Sequence, residues 1–237
     1  MKTMLITGTT QGIGRAIYEH YKNQYSVITI NRRFFEGNNM ICDLSVISEI
    51  ENIIDKLNHM KIDILINNAG GAEPMIFHQL EVQELIRCTN LNYHAPVLLM
   101  QAVLEGMKDR KYGRIINVSS IASKSPRPLI PHYGAAKSAL EKFSSSMAVA
   151  YGDNGITVNC ICPGGVYTET SLKNRKQMAH ILGKEENYYN DKMSSGNGLG
   201  RMVKVEEIVG LIDFLISESA QAISGQVYNI CGVKEVH

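Results

Sequence analysis

The feature that most constrains this chain is an alternation of short apolar runs with longer amphipathic ones, sustained along its length. Thr3–Thr7, Ser26–Asn31, Met40–Cys42, Ile62–Asn67, Arg114–Ser119, Thr157–Cys162 and Gln226–Ile230 read as short buried strands. Between them, Ile13–Asn23, Val46–Leu57, Leu80–Thr89, Ala95–Lys108, Tyr133–Tyr151 and Val205–Ile216 read as helices. Ser45, following Asp43 and Leu44, is the expected N-cap of the second. Strands that alternate with helices predict an α/β chain: a doubly wound, parallel, seven-stranded sheet with helices on both faces. No linker or repeat interrupts the pattern, so residues 1–237 read as one domain. The stretch 167–201 is the most irregular.

Composition narrows the class. An apolar content of 44% and a charged content of 20% describe a globular chain with a real core. A formal charge of +1 gives no attraction to nucleic acid or membrane surfaces. No apolar run reaches the ~18 residues of a membrane span. Met1–Gly8 reads as a first strand and not as a signal peptide. The five cysteines (Cys42, Cys88, Cys160, Cys162, Cys231) are odd in number and lie mostly in apolar runs, the pattern of reduced packing residues in a cytoplasmic protein. Cys160 and Cys162 share a strand face but lack further ligands at suitable spacing, and no HxxxH occurs, so no metal is expected.

Two motifs carry chemistry. The first is Thr7-Gly8-Thr9-Thr10-Gln11-Gly12-Ile13-Gly14, between the first strand and the first helix. Glycines there permit a tight turn and bring backbone N–H groups to a pyrophosphate at a helix N-terminus. The second is Tyr133-Gly-Ala-Ala-Lys137, which sets a phenol and an ammonium one helical turn apart. A cation held near a phenol favours the phenolate and brings its proton transfer nearer to working pH. Charge also bears on the cofactor. After the second strand the chain reads Asn31-Arg32-Arg33, with no carboxylate to bond a ribose 2′-hydroxyl. Arg32 first and Arg33 second suit a 2′-phosphate, which favours NADP(H) over NAD(H). The competing reading is a pair of solvated cations, one of them partnered by Glu36.

TGxxxGIG, then Asn67-Asn68-Ala69-Gly70, then Tyr133-x-x-x-Lys137, then Pro163-Gly164 resembles the short-chain dehydrogenase/reductase family, in its short single-domain branch and over essentially the whole chain. The resemblance implies a Rossmann-type fold and NAD(P)-dependent hydride transfer, similar to 3-oxoacyl-carrier-protein reductases and secondary-metabolite ketoreductases. It implies that Ser120, 13 positions before Tyr133 (133 − 120), helps hold the substrate carbonyl, with Ser119 as the competitor. It makes Asn92 the residue that kinks a helix and holds a water in a proton path, with Asn90 as the competitor. Tyr133 becomes the acid, and Lys137 lowers its pKa and binds the nicotinamide ribose. Asp43 and Leu44 contact adenine. Asn68, Ala69 and Gly70 line the adenosine ribose side. Pro163, Gly164, Val166 and Thr168 form the segment that orients the carboxamide.

Two segments are expected around the substrate. Ile121–His132 holds Arg127 between prolines, with His132 read as a loop residue. Residues 167–201 carry Tyr188, Tyr189 and a glycine-rich run suited to a hinged lid. Small residues on the Tyr133–Tyr151 helix (Ala135, Ala136, Ala139, Ser144–Ser146) predict close packing between copies, hence a homo-oligomer, a tetramer by resemblance. The terminal Asn229-Ile-Cys231-Gly departs from the Asp-Gly-Gly of many relatives and bears on those contacts. The leading expectation is an NADPH-dependent ketone reductase. An alcohol dehydrogenase working oxidatively, and a dinucleotide-binding redox sensor without turnover, are the alternatives.

Overall fold

The computed structural model describes residues 1–195 and 197–232, with the side chains of 193–195 left out. Gly196 and the terminal 233–237, part of the expected lid and tail, lie outside it. One parallel sheet organises the rest, in the order β3-β2-β1-β4-β5-β6-β7. Its strands are β1 (Thr3–Thr7), β2 (Ser26–Asn31), β3 (Asn38–Ile41), β4 (Ile64–Asn67), β5 (Gly113–Val118), β6 (Ile156–Pro163) and β7 (Val227–Ile230). Chain direction across the sheet reverses between β1 and β4, and the crevice at such a switch point is where these sheets bind ligands.

The helices are α1 (Gly12–Tyr21), α2 (Ile47–Asn58), α3 (Val82–Thr89), α4 (Ala95–Asp109), α5 (Pro131–Tyr151), α6 (Glu169–Ile181), α7 (Tyr188–Ser195) and α8 (Val205–Ile216). The period of two along each strand sorts the core into two layers. Leu5, Leu65 and Ile115 face one way and pack with Ile50 and Leu57 of α2, Leu99 and Val103 of α4, and Leu140 of α5. Met4, Ile6, Ile64, Ile66 and Ile116 face the other way and pack with Ile17 and Tyr21 of α1 and Ile208 and Ile212 of α8.

Four local expectations are corrected. Ser45 does not cap α2: its hydroxyl donates to Asp43 Oδ1 at 2.7 Å, and Val46 takes the cap position. Residues 167–201, expected to be the most irregular stretch, hold α6 and α7, whose polar sequences lack an apolar stripe. His132 is not a loop residue either, because α5 begins at Pro131, whose fixed φ suits a first helical turn. On α5, Ala135, Ala139 and Ser146 are exposed, but Ala136 and Ser144 face the core.

Candidate active site

The carboxyl ends of β1, β4 and β5 converge on one crevice. At β1, Gly8 and Gly12 have φ of +70° and +57°. A Cβ on Gly14 would stand 2.0 Å from the Gly8 carbonyl oxygen and 2.4 Å from Asn68 Nδ2, so only glycine fits there. Asn68 stitches the turn to β4 by donating to the carbonyls of Thr7 (3.0 Å) and Gly8 (2.9 Å). Thr7 Oγ1 accepts from the Asn68 and Ala69 amides in return. Thr10 and Gln11 are exposed at the tip, Gly12 and Ile13 are half-buried, and α1 starts with neither a side-chain cap nor an acidic residue in its first turn. Its first N–H groups and positive dipole end therefore suit a pyrophosphate, a donor set that fits a dinucleotide.

The second strand's end divides the labour. Asn31 is buried, accepts from the Thr9 amide at 2.8 Å, and donates to Thr9 Oγ1 and Asn39 Oδ1. That spends the Asn31 side chain on shaping the glycine turn. Arg32 and Arg33 are exposed. Glu36 pairs with Arg15 at 2.8 Å and not with them, and among the described residues neither guanidinium meets a carboxylate. After β3, Asp43 Oδ1 accepts from the Ser45 amide and hydroxyl, so Asp43 shapes the turn into α2 beside the buried Leu44.

The reacting residues meet above β5. Ser119 and Ser120 point opposite ways. Ser119 Oγ donates to Glu141 at 2.5 Å, whereas the Ser120 hydroxyl accepts from the Ala122 amide at 3.2 Å and is near enough to the Tyr133 phenol to oppose the rise of its pKa. Gly134 permits that meeting, since a Cβ there would lie 2.5 Å from the Ala122 carbonyl oxygen. Lys137 is 2% exposed, and its Nζ donates to the Val118 carbonyl at 2.8 Å and lies 5.8 Å from the Tyr133 ring centroid. Burial pushes the Lys137 ammonium down to about 8. Burial pushes the Tyr133 phenol up to about 12, with the Ser120 hydrogen bond opposing. In this arrangement burial dominates at the Tyr133 phenol, and the Lys137 ammonium is turned toward the Val118 carbonyl.

Asn92 sits in a π-helical turn, Asn90–His94, that joins α3 to α4. It is fully buried, donates to the carbonyls of Gly71 (2.9 Å) and Cys88 (2.8 Å), and accepts from the Gly71 amide. Asn90 instead turns away, donating to the Ser45 carbonyl. A Cβ on Gly70 would meet Asn92 Oδ1 at 2.8 Å and Lys137 Nζ at 3.1 Å, so Gly70, Asn92 and Lys137 form one contact.

Across the crevice, Gly164 abuts Cys231, and the Val166 carbonyl accepts from Arg175 at 2.7 Å. Thr168 caps α6 by accepting from the Ser171 amide, and its methyl lies 3.5 Å from where a Gly12 Cβ would be. Gln11 Nε2 donates to Thr170 Oγ1 at 2.7 Å, which joins the glycine turn to the segment after Pro163. Sequence reasoning missed Thr7, Thr9, Gly134 and Arg175. Polar residues at the end of an apolar strand were the available signal for the first two; nothing marked Arg175, which α6 buries.

A family model described as short chain dehydrogenase matches residues 2–179. The chain belongs to the short-chain dehydrogenase/reductase family. It is 28% identical to a 3-oxoacyl-[acyl-carrier-protein] reductase of Haemophilus influenzae, over 98% of this chain and 97% of that one. An NADPH-bound variant of actinorhodin polyketide ketoreductase superposes with a TM-score of 0.91 at 25% identity, covering 100% of this chain and 98% of that one. A 4-hydroxyisoleucine dehydrogenase complexed with NADH gives 0.85 at 26% identity, over 99% and 98%. The chain is therefore an NAD(P)-dependent oxidoreductase with ketoreductase relatives. Among its described residues, no helix is long and apolar enough to cross a membrane.

Proposed function

We propose that this oxidoreductase reduces a ketone, of the 3-oxoacyl or secondary-metabolite type, to a secondary alcohol with NADPH. The observation that carries the reading is the convergence of Ser120 and Tyr133 with buried Lys137 and Asn92 at the carboxyl ends of the central strands. The nicotinamide, when bound, supplies the hydride to the carbonyl carbon. Tyr133, held protonated by burial, donates its proton to the carbonyl oxygen. Ser120 donates a second hydrogen bond to the same oxygen as charge develops there. Lys137 would hold the nicotinamide ribose, and a water held at Asn92 in the π-turn would relay a proton from solvent back to Tyr133. The turn over Gly8–Gly14 takes the pyrophosphate, Asn68–Gly70 the ribose side, Asp43 and Leu44 the adenine, and Pro163, Gly164, Val166 and Thr168 the carboxamide.

Two further parts of the reading have their own support. For NADP(H), it is the free guanidiniums of Arg32 and Arg33, with Glu36 engaged elsewhere. The two solved relatives hold NADPH and NADH, so the arginines carry the choice. For the substrate side, α6 and α7 form a lid over the crevice, pinned through Arg175. Five buried cysteines, none of them in a disulfide, suit a reducing cytoplasm, and the exposed Ala135–Ala139–Ser146 stripe of α5 suits a homo-oligomer.

The test is initial-rate NADPH oxidation with a short 3-oxoacyl thioester, with NADH and with Tyr133→Phe in parallel. Turnover that prefers NADPH and falls at least about 100-fold in the variant is expected. Tight NADPH binding without turnover of any ketone would sink the reading in favour of a sensor.

A further inference from the structure

We propose that Glu84, Cys88 and His132 form a site for one soft divalent cation of the zinc class, next to the active site. Glu84 and Cys88 are four residues apart on α3 and so share a face. His132, in the first turn of α5, points at them. Among the described residues, one ligand atom from each lies within 4.8 Å of the other two, with His132 Nε2 3.6 Å from Glu84 Oε1.

The imidazole is the telling group. The His132 side chain is 1% exposed, and neither ring nitrogen has a hydrogen-bond partner. Buried polar groups are nearly always satisfied, so this ring, whose nearest polar neighbour is the Glu84 carboxylate 3.6 Å from Nε2, has a nitrogen open to a ligand. The neighbours are a thiol and a carboxylate, and that trio is the donor set zinc takes. Bonds of about 2.0–2.3 Å at tetrahedral angles place ligand atoms roughly 3.4–3.7 Å apart. The histidine–carboxylate pair already has that spacing, and about an ångström of closure by the Cys88 side chain supplies the third corner.

The surroundings complete a site. Arg87 holds the Glu84 carboxylate through Nε (2.5 Å) and a terminal nitrogen (2.8 Å), which fixes its orientation as an outer partner does. Glu84 also lines a surface cleft of about 340 Å³ with Glu73, Glu81, Gln79 and Arg87, so its carboxylate stands at the border between that cleft and the buried His132. On binding, a sulfur–metal bond forms and the Cys88 thiol proton leaves to solvent. The ion would also touch the reaction. His132 precedes Tyr133 in the chain, and Cys88 Sγ accepts from Asn92 Nδ2 at 3.4 Å. Coordination would thus draw on both neighbours, so the site would regulate turnover.

The test titrates the full chain with Co²⁺ and reads the thiolate-to-cobalt charge-transfer band in the near ultraviolet, followed by displacement with Zn²⁺. One equivalent should generate the band and zinc should remove it. Cys88→Ser should abolish it, His132→Gln should weaken cobalt binding at least tenfold, and Cys42→Ser should leave it unchanged. No band in the wild type, or one that survives Cys88→Ser, overturns the proposal. If Cys88→Ser does not fold, His132→Gln decides: cobalt affinity within twofold of wild type overturns the site.

Discussion

Replacing Lys137 by methionine should make the protein more stable at neutral pH while abolishing turnover. The side chain is buried, and its ammonium is held down to about 8 from 10.5, with burial as the first cause. At 1.36 kcal/mol per pKa unit, that drop means that charging Lys137 in the folded state costs about 3 kcal/mol. Methionine keeps most of the apolar stem and removes the charge, but forfeits the 2.8 Å bond to the Val118 carbonyl. That loss is about 1 kcal/mol, so the net gain is about 2 kcal/mol at pH 7. The pH dependence fixes the mechanism. Below about 8 the folded and unfolded states both hold the proton, and the cost is present in full. Between about 8 and 10.5 the folded protein has released a proton that the unfolded chain retains, so wild-type stability rises with pH across that window. The variant lacks this contribution, and every other titrating group is common to both proteins. Urea unfolding at fixed protein concentration, at pH 7, 8, 9 and 10, measures the difference. The variant should lead at pH 7 and lose its lead by pH 10. A wild type that is more stable at pH 7, or a difference that stays flat from pH 7 to 10, would refute the reasoning.

The other predictions are briefer. Arg32→Ala should weaken NADPH binding about 10–100-fold, the worth of one or two charge-assisted hydrogen bonds, and leave NADH binding nearly unchanged; fluorescence titration with both cofactors checks this. Gly134→Ala should lower kcat about 100-fold with cofactor affinity retained, because its Cβ would push α5 off the Ala122 carbonyl and part Tyr133 from Ser120. Equal losses in kcat and NADPH affinity would place the damage elsewhere. Glu141→Ala should destabilise the fold by about 3 kcal/mol in urea, since Ser119, Ser123 and Cys162 all donate to one of its oxygens and would lose their acceptor.

Most of the sheet was legible because each strand is a short apolar run bounded by turn residues, and two such runs, β1 and β2, match their expected limits residue for residue. Helix limits were less legible because they depend on caps. Ser45 has the side chain of a cap, yet Asp43 takes its hydroxyl and Glu49 takes the Asp43 amide at 2.6 Å. Residues 167–201 were opaque for a different reason. Their helices are held by a buried arginine reaching Val166, Ser171 and Asn190, and by capping at Thr168, and such polar contacts leave no periodic trace.

The candidate site divides along the same line. Spacing picks out Ser120 and Lys137, because a helix and a strand end of regular geometry carry them. Spacing cannot say which of two adjacent serines faces the phenol. That depends on Glu141, which pulls Ser119 to the opposite side of the chain and leaves Ser120 toward Tyr133. Nor can it give the sign of a pKa. The order Tyr-x-x-x-Lys suggests a cation lowering a phenol, yet three-dimensional burial drives the two groups toward their neutral forms. For a reductase that balance is the useful one, since a phenol kept protonated has a proton to give. A lysine poised near 8 costs the fold stability and can change its charge within the working pH range. The methionine variant, by recovering that stability and losing turnover, would display both sides of the same arrangement.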